Sequence, residues 1–144
     1  MDKRTRAREL AMQALYQLDV QGSVLLPRLM AEFFYEMEGD SRTRQLAWEW
    51  TNGTWAKVAE CDELIGSSTI RWQFSRLSPV DRSILRLSVY QLTSCPEIPP
   101  KVIINEAIEL AKKYSTDKSG PFVNGVLDAV LKKLRTEGRR TQEQ

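Results

Sequence analysis

Apolar residues recur along this 144-residue chain at the spacing of helices, with no run of paired-strand alternation. In "RARELAMQALYQLD", Ala7, Leu10, Ala11, Ala14, Leu15 and Leu18 fall at i, i+3, i+4, i+7, i+8 and i+11, one face of a helix that Gly22 closes. At about 100° per residue, Arg8, Met12 and Tyr16 take one flank of that face and Arg6, Gln13 and Gln17 the other. Both flanks are expected to reach solvent. After a loop over residues 23 to 25, "PRLMAEFFYEME" predicts a short helix begun by Pro27 and stopped by Gly39. Asp40 or Ser41 then caps a long third helix, expected from about Arg42 to Ile65, with Leu46 and Trp50 on its apolar side and Gly53 inside it.

"STIRWQFSRLSP" alternates at Ile70, Trp72 and Phe74, but a lone strand has nothing to pair with, so a short helix or an extended connector is expected. Three stronger helices follow. Ser78 caps "PVDRSILRLSVYQLTS", with Pro79 at its first position and Ile84, Leu85, Leu87, Val89 and Leu92 as its apolar set; Pro96 and the Pro99-Pro100 pair end it. "PKVIINEAIELAKKYS" carries two adjacent stripes, Ile103, Ala107, Leu110, Tyr114 and Ile104, Ile108, Ala111, and is expected to be wrapped by its neighbours on most of its surface. Ser119 is expected to cap "GPFVNGVLDAVLKKLRTEG", whose stripe is Val123, Val126, Leu127, Val130, Leu131 and Leu134. The expected fold is all-α, a compact bundle of about six or seven helices, formed as a single domain over 1–136 with a flexible basic and polar tail over 137–144. In the apolar faces, Asn105 and Asn124 read as buried hydrogen-bond hubs and Gly125 as a site of close helix packing.

Composition narrows the function classes. With 42% hydrophobic and 28% charged residues the chain is that of a soluble globular protein. No apolar run approaches the length of a membrane span and the N-terminus lacks a signal-peptide core, so a cytoplasmic location is expected. Cys61 and Cys95 stand 34 positions apart and there is no histidine, which excludes the usual zinc sites and every nucleophile–His dyad. Both thiols read as buried small hydrophobes. No Gly-rich phosphate loop, dinucleotide fingerprint, GxSxG or HExxH is present. Glu106 and Glu109 lie at i, i+3 on a solvated face, with Glu109 and Lys113 as an i, i+4 pair. No catalytic residue, metal or cofactor is expected, and the protein is read as no enzyme.

Charge distribution points elsewhere. Residues 1–8 carry a net +3 and residues 132–144 another +3, which leaves −4 for the stretch between them out of a total of +2. Lys3, Arg4, Arg6 and Arg8 sit at a helix start, where the helix dipole disfavours cations, so a polyanion partner is the first function to consider. Solubility alone also explains a charge run. Tyr16 and Phe122 add candidate stacking surfaces for single-stranded RNA, although each suits a core as well.

"RARELAMQALYQLD", "WQFSRLSPVD", "LSPVDRSILRLSVYQL" and "IPPKVIINEAIELAKKYSTDKSGPFVNGVLDAVLKKL" together resemble the bacterial transcription antitermination factor NusB family in order, spacing and wording. The likeness covers both ends of the chain and is weak from Gly22 to Thr69. It implies an all-helical fold of two small subdomains, here about 1–75 and 76–136. It also implies pairing with NusE, a ribosomal protein of the small subunit, to bind boxA-type RNA within the transcription elongation complex on ribosomal RNA operons. Arg4, Arg6 and Arg8 match the family's arginine-rich N-terminus and are carried over as RNA contacts, as is Phe122 in "TDKSGPFVNG"; Lys3 and Lys118 are expected beside them as this chain's own cations. Pro121 replaces the usual Lys before that aromatic, and Lys118 stands where the family often has an acid.

Asp81, Arg86 and Tyr90 lie on the helix that resembles the family's protein-binding side and, together with Tyr16, are expected as NusE contacts; Asp81 would suit a basic partner, and would equally complement its own helix N-terminus. Two other readings remain. An accessory domain of an RNA cytosine methyltransferase can be NusB-like, but nothing follows residue 144 to hold a catalytic domain. A self-associating helical protein, a homodimer, would use Trp48, Trp50 and Trp55 as exposed anchors, unless these pack in the core.

Overall fold

The computed structural model describes residues 2–33, 39–69 and 76–140. Seven α-helices occur among them: α1 (Lys3–Gln21), α2 (Leu26–Ala31) after a short 3-10 turn (Ser23–Leu25), α3 (Ser41–Ala56), α4 (Val58–Ser67), α5 (Pro79–Ser94), α6 (Pro100–Tyr114) and α7 (Ser119–Thr136). No strand occurs among the described residues. Residues 70–75, which hold Ile70, Trp72 and Phe74, and residues 34–38 of the expected second helix lie outside the described residues.

Caps explain most boundaries. The Asp2 carboxylate accepts from the Arg4 amide at 2.8 Å and Asp40 accepts from Arg42 at 2.7 Å, so each satisfies an N–H that the first turn leaves open. Ser78 does the same for Asp81 at 3.1 Å, with Pro79 at the first helical position. Gly22, at φ +89°, ends α1 in a conformation that costs a side-chain-bearing residue dearly. Two boundaries differ from the expectation. The long third helix is two helices, broken at Lys57 (φ −112°, ψ 22°), and Gly53 stays helical. Ser119 is the first residue of α7 rather than its cap; Lys118 holds the cap position without a side-chain bond.

A single core joins all seven helices. Its axis is α5, which packs against α1, α3, α4, α6 and α7 and buries every residue from Ser83 to Val89. Helix α6, expected to be the wrapped one, buries Ile103, Ile104, Ala107, Leu110 and Ala111 against α5 and α7 but leaves Lys101, Asn105, Glu109 and Lys112 in solvent. The polar residues of α5 permit its centrality. Ser83 and Ser88 donate to the carbonyls of Pro79 and Ile84, so these small side chains are buried without orphan hydroxyls.

The C-terminal segment is held in place as far as Arg140. Gly138, at φ +73°, turns the chain back over the end of α7, and the Arg139 amide donates to the Leu134 carbonyl at 2.8 Å. The buried Arg140 guanidinium then donates to the carbonyls of Gln91, Leu92 and Cys95 at 3.1, 2.7 and 2.9 Å, capping the C-terminus of α5 with a cation. Of the tail expected to be flexible over 137–144, residues 137–140 are held by these bonds, and residues 141–144 lie outside the described residues.

Candidate nucleic-acid interface

The start of α1 divides its four cations between surface and interior. Lys3 and Arg6 are exposed, paired with Asp40 (2.6 Å) and Glu9 respectively, and Arg4 is exposed beside them. Lys3 and Arg4 line a cleft of about 370 Å³ between α1 and α3 with Arg42, Gln45 and Glu49. Lys3 and Arg6 line a second, of about 200 Å³, with Arg44.

Arg8 faces the other way. It is 3% exposed, lies 5.1 Å over the Trp50 ring, and donates at 3.4 Å to both Gln91 Oε1 and Glu106 Oε1. Burial lowers its pKa, with Glu106 opposing that shift. The α1 flank of Arg8 and Met12 is therefore packed, and of that flank only Tyr16, 40% exposed, reaches solvent. Position three turns along one helix says which flank a residue occupies; whether α3 and α5 cover that flank is a tertiary matter.

Glu9 is the residue that the apolar pattern passed over. Its side chain is 5% exposed, yet it holds Arg6 through Oε1 and Lys113 of α6 through Oε2 at 2.7 Å. Burial pushes its carboxyl up, but hydrogen bonds from Lys113, Tyr114 and Arg6 outweigh that and keep it below the usual range. Lys113 pairs here and not with Glu109, whose partner is Lys112 at 3.5 Å. Glu106 likewise leaves the solvated face: Thr5 donates to it at 2.6 Å.

Lys118 and Phe122 share a shallow cleft of about 300 Å³ with Arg76, Leu77, Asp81 and Ser119, at the turn between α6 and α7 and the start of α5. Phe122 rests half-buried on the core with part of its ring accessible. Asp81 Oδ2 accepts from the Ser119 hydroxyl at 3.1 Å, which ties the two helix starts together.

Arg86 and Tyr90, also expected as partner contacts, make contacts within the chain. Arg86 is held by both oxygens of Asp62 (2.7 and 2.8 Å) and by Asp19 Oδ1 (2.7 Å), while Arg82 takes Asp19 Oδ2 at 2.7 Å. These four ions bolt α1 and α4 onto α5. Tyr90 packs on Gly53 of α3. Asn105 is exposed and Asn124 half-buried, on the walls of a cleft of about 240 Å³ between α6 and α7, so neither is a buried hub. Gly125 has open space where a β-carbon would stand, and helix approach is close at Gly53 instead. Trp50 is core, and Trp48 and Trp55 pack against it, Trp55 donating to Ser23 Oγ at 3.0 Å. Both thiols are buried and free, and burial raises them to about 12 at Cys61 and about 11 at Cys95. Among the described residues no group of three potential metal ligands occurs, and no helix is long and apolar enough to cross a membrane.

The NusB family model matches residues 5–132 of the chain. A transcription antitermination protein NusB from Anaeromyxobacter sp. (strain Fw109-5) is 45% identical over 140 residues, covering 96% of both chains. One from Sorangium cellulosum (strain So ce56) is 41% identical over 134 residues, 93% of this chain and 95% of that one. Among solved structures, NusB of T. maritima superposes with a TM-score of 0.82 at 34% identity, covering 94% of this chain and 95% of that one. A crystal structure of the antitermination factors NusB and NusE in complex with dsRNA superposes with a TM-score of 0.76 at 30% identity, covering 92% and 98%.

Proposed function

Since the chain belongs to the NusB family, we propose that it is a transcription antitermination factor: a non-enzymatic adaptor that binds boxA-type single-stranded RNA jointly with the ribosomal protein NusE, in the cytoplasm, as part of the elongation complex on ribosomal RNA operons. The observation that carries this reading is the likeness, over nearly the whole chain, to an antitermination factor NusB whose structure was solved in complex with NusE and dsRNA.

The surface suits the role. Lys3, Arg4 and Arg6 reach solvent at the start of α1, and Lys118 and Phe122 offer a cation and an accessible ring at the α6–α7 turn. Cations bind phosphates of any sequence, while an aromatic ring stacks on an unpaired base. Arg8 serves this surface from behind, anchoring α1 through Trp50, Gln91 and Glu106. For NusE, Tyr16 offers an exposed ring, and Asp81, Arg86 and Tyr90 shape the surface through their contacts with Ser119, Asp19, Asp62 and Gly53. No cofactor enters this mechanism.

Binding of a labelled boxA-type RNA with and without NusE, at two salt concentrations, tests the reading. Tighter binding with NusE that weakens as salt rises is expected, with single-stranded RNA preferred over a duplex of the same sequence. Binding that ignores NusE and salt would overturn it.

A homodimer is the second reading. Tyr16 and Val20 of α1 and Val24 just after it are exposed apolar side chains, Val20 and Val24 at 57% and 86%. Sedimentation at several concentrations, with and without NusE, separates a self-association surface from a NusE surface.

A further inference from the structure

We propose that Glu9 is a positioning residue that holds Arg6 and Lys113 side by side as one phosphate-binding pair, and that Lys113 thereby belongs to the RNA contact surface. This rests on the RNA-binding reading above and names two residues that it does not use.

The geometry is specific. One carboxylate, nearly all of it buried, gives one oxygen to Arg6 of α1 and the other to Lys113 of α6, residues 107 positions apart in the chain, while about half of each cationic side chain stays exposed. An ammonium has three donors and a guanidinium five, so each head keeps donors for an incoming phosphate beyond the one on Glu9. Lys113 Nζ also lies 5.4 Å from the centroid of the Tyr114 ring, whose hydroxyl accepts from Gln13 of α1 at 3.3 Å. Long cationic side chains lose rotamer freedom when they grip a phosphate; a pair already held loses less. Two cations this close would otherwise repel, and the carboxylate between them offsets that repulsion. Lys113 also precedes the α6–α7 turn, so the pair links the cations of α1 to the segment of Lys118 and Phe122.

A carboxylate that merely neutralised surface charge would have the opposite effect on RNA, and this sets up a test by sign. Labelled boxA-type RNA is titrated with the full chain over a salt series, with a thermal melt of each variant. Glu9→Gln adds one positive charge, so charge alone predicts tighter binding; positioning predicts binding about threefold weaker or more, at temperatures where the melt shows a folded protein. Lys113→Gln keeps a donor within reach of Glu9 but removes a charge from a buried carboxylate; it should lower the melt slightly and leave the protein folded, weaken binding about fivefold, and reduce the slope of log K against log salt by about 0.7, the share of one single-strand phosphate contact.

Equal or tighter binding by folded Glu9→Gln overturns the positioning role. Unchanged affinity and slope in Lys113→Gln overturns its place on the surface. If Glu9→Gln does not fold, the Arg6→Gln, Lys113→Gln double variant decides: a coupled pair loses less together than the product of the single losses, and a loss equal to that product overturns the coupling. Parent protein that binds no RNA at any salt defeats the RNA reading itself and this inference with it, an outcome visible before any variant is made.

Discussion

The ring of Tyr90 on α5 occupies the space where Gly53 on α3 would carry a β-carbon, with Cε1 2.9 Å from that position. Helix α3 thus keeps a glycine in its interior, at a cost of about 1 kcal/mol relative to alanine, because the contact with α5 leaves no room for a methyl group. Gly53→Ala is expected to destabilise the protein by about 1–2 kcal/mol in urea unfolding, the displaced ring outweighing the helix-propensity gain. With Tyr90→Ala already present, the same change should stabilise. Additive effects of the two substitutions would contradict the packing account.

The Asp19–Arg86–Asp62 contact gives a pH dependence with a definite sign. Burial raises the Asp19 carboxyl, and the hydrogen bonds and charges of Arg82 and Arg86 more than reverse that, so it lies below its ordinary value of 3.8 in the folded chain. A depressed folded pKa contributes stability in full above the unfolded value and loses it as pH falls through the folded one. Asp19→Asn should therefore cost about 2–3 kcal/mol at pH 7, and the gap between variant and parent should shrink below pH 3.8. Urea unfolding as a function of pH reads this directly; a gap that stays constant into acid would refute it.

Arg6 and Arg8, two positions apart, should separate binding from folding. Arg6→Ala is expected to weaken RNA binding and flatten its salt dependence, with unfolding shifted by less than about 1 kcal/mol because the side chain is surface-exposed. Arg8→Ala removes a guanidinium packed on Trp50 and bonded to Glu106, and should destabilise by about 2–4 kcal/mol. Thermal melts and RNA titrations of both variants check the pair; an Arg8→Ala protein as stable as its parent would return Arg8 to the surface.

Arg140→Ala strips the carbonyls of Gln91, Leu92 and Cys95 of a buried cationic donor. A loss of about 1.5–3 kcal/mol is expected. Truncation that removes Arg140 should lose as much, and truncation just after Arg140 should not; urea unfolding of the two reads the difference.

Much of the fold was legible from local rules. Ser78 with Pro79, Gly22 after Leu18, and the stripes of α1, α5, α6 and α7 follow from capping chemistry and from a 3.6-residue period that any amphipathic helix must show. The four cations of the α1 start, the absence of histidine and the two isolated thiols were also readable, and they turned attention from catalysis to a polyanion. Tertiary structure alone decided which helix lies at the centre, because two broad apolar stripes on α6 and a serine-bearing α5 rank in the opposite order once the neighbours are in place. It also decided which cations face solvent. Arg6 and Arg8 are equivalent as residue types, but one guanidinium is turned in against Trp50 of α3 and Gln91 of α5 and the other is left half-exposed on Glu9. Periodicity assigns a residue to a face; only packing determines what covers it, since burial depends on elements far away in the chain.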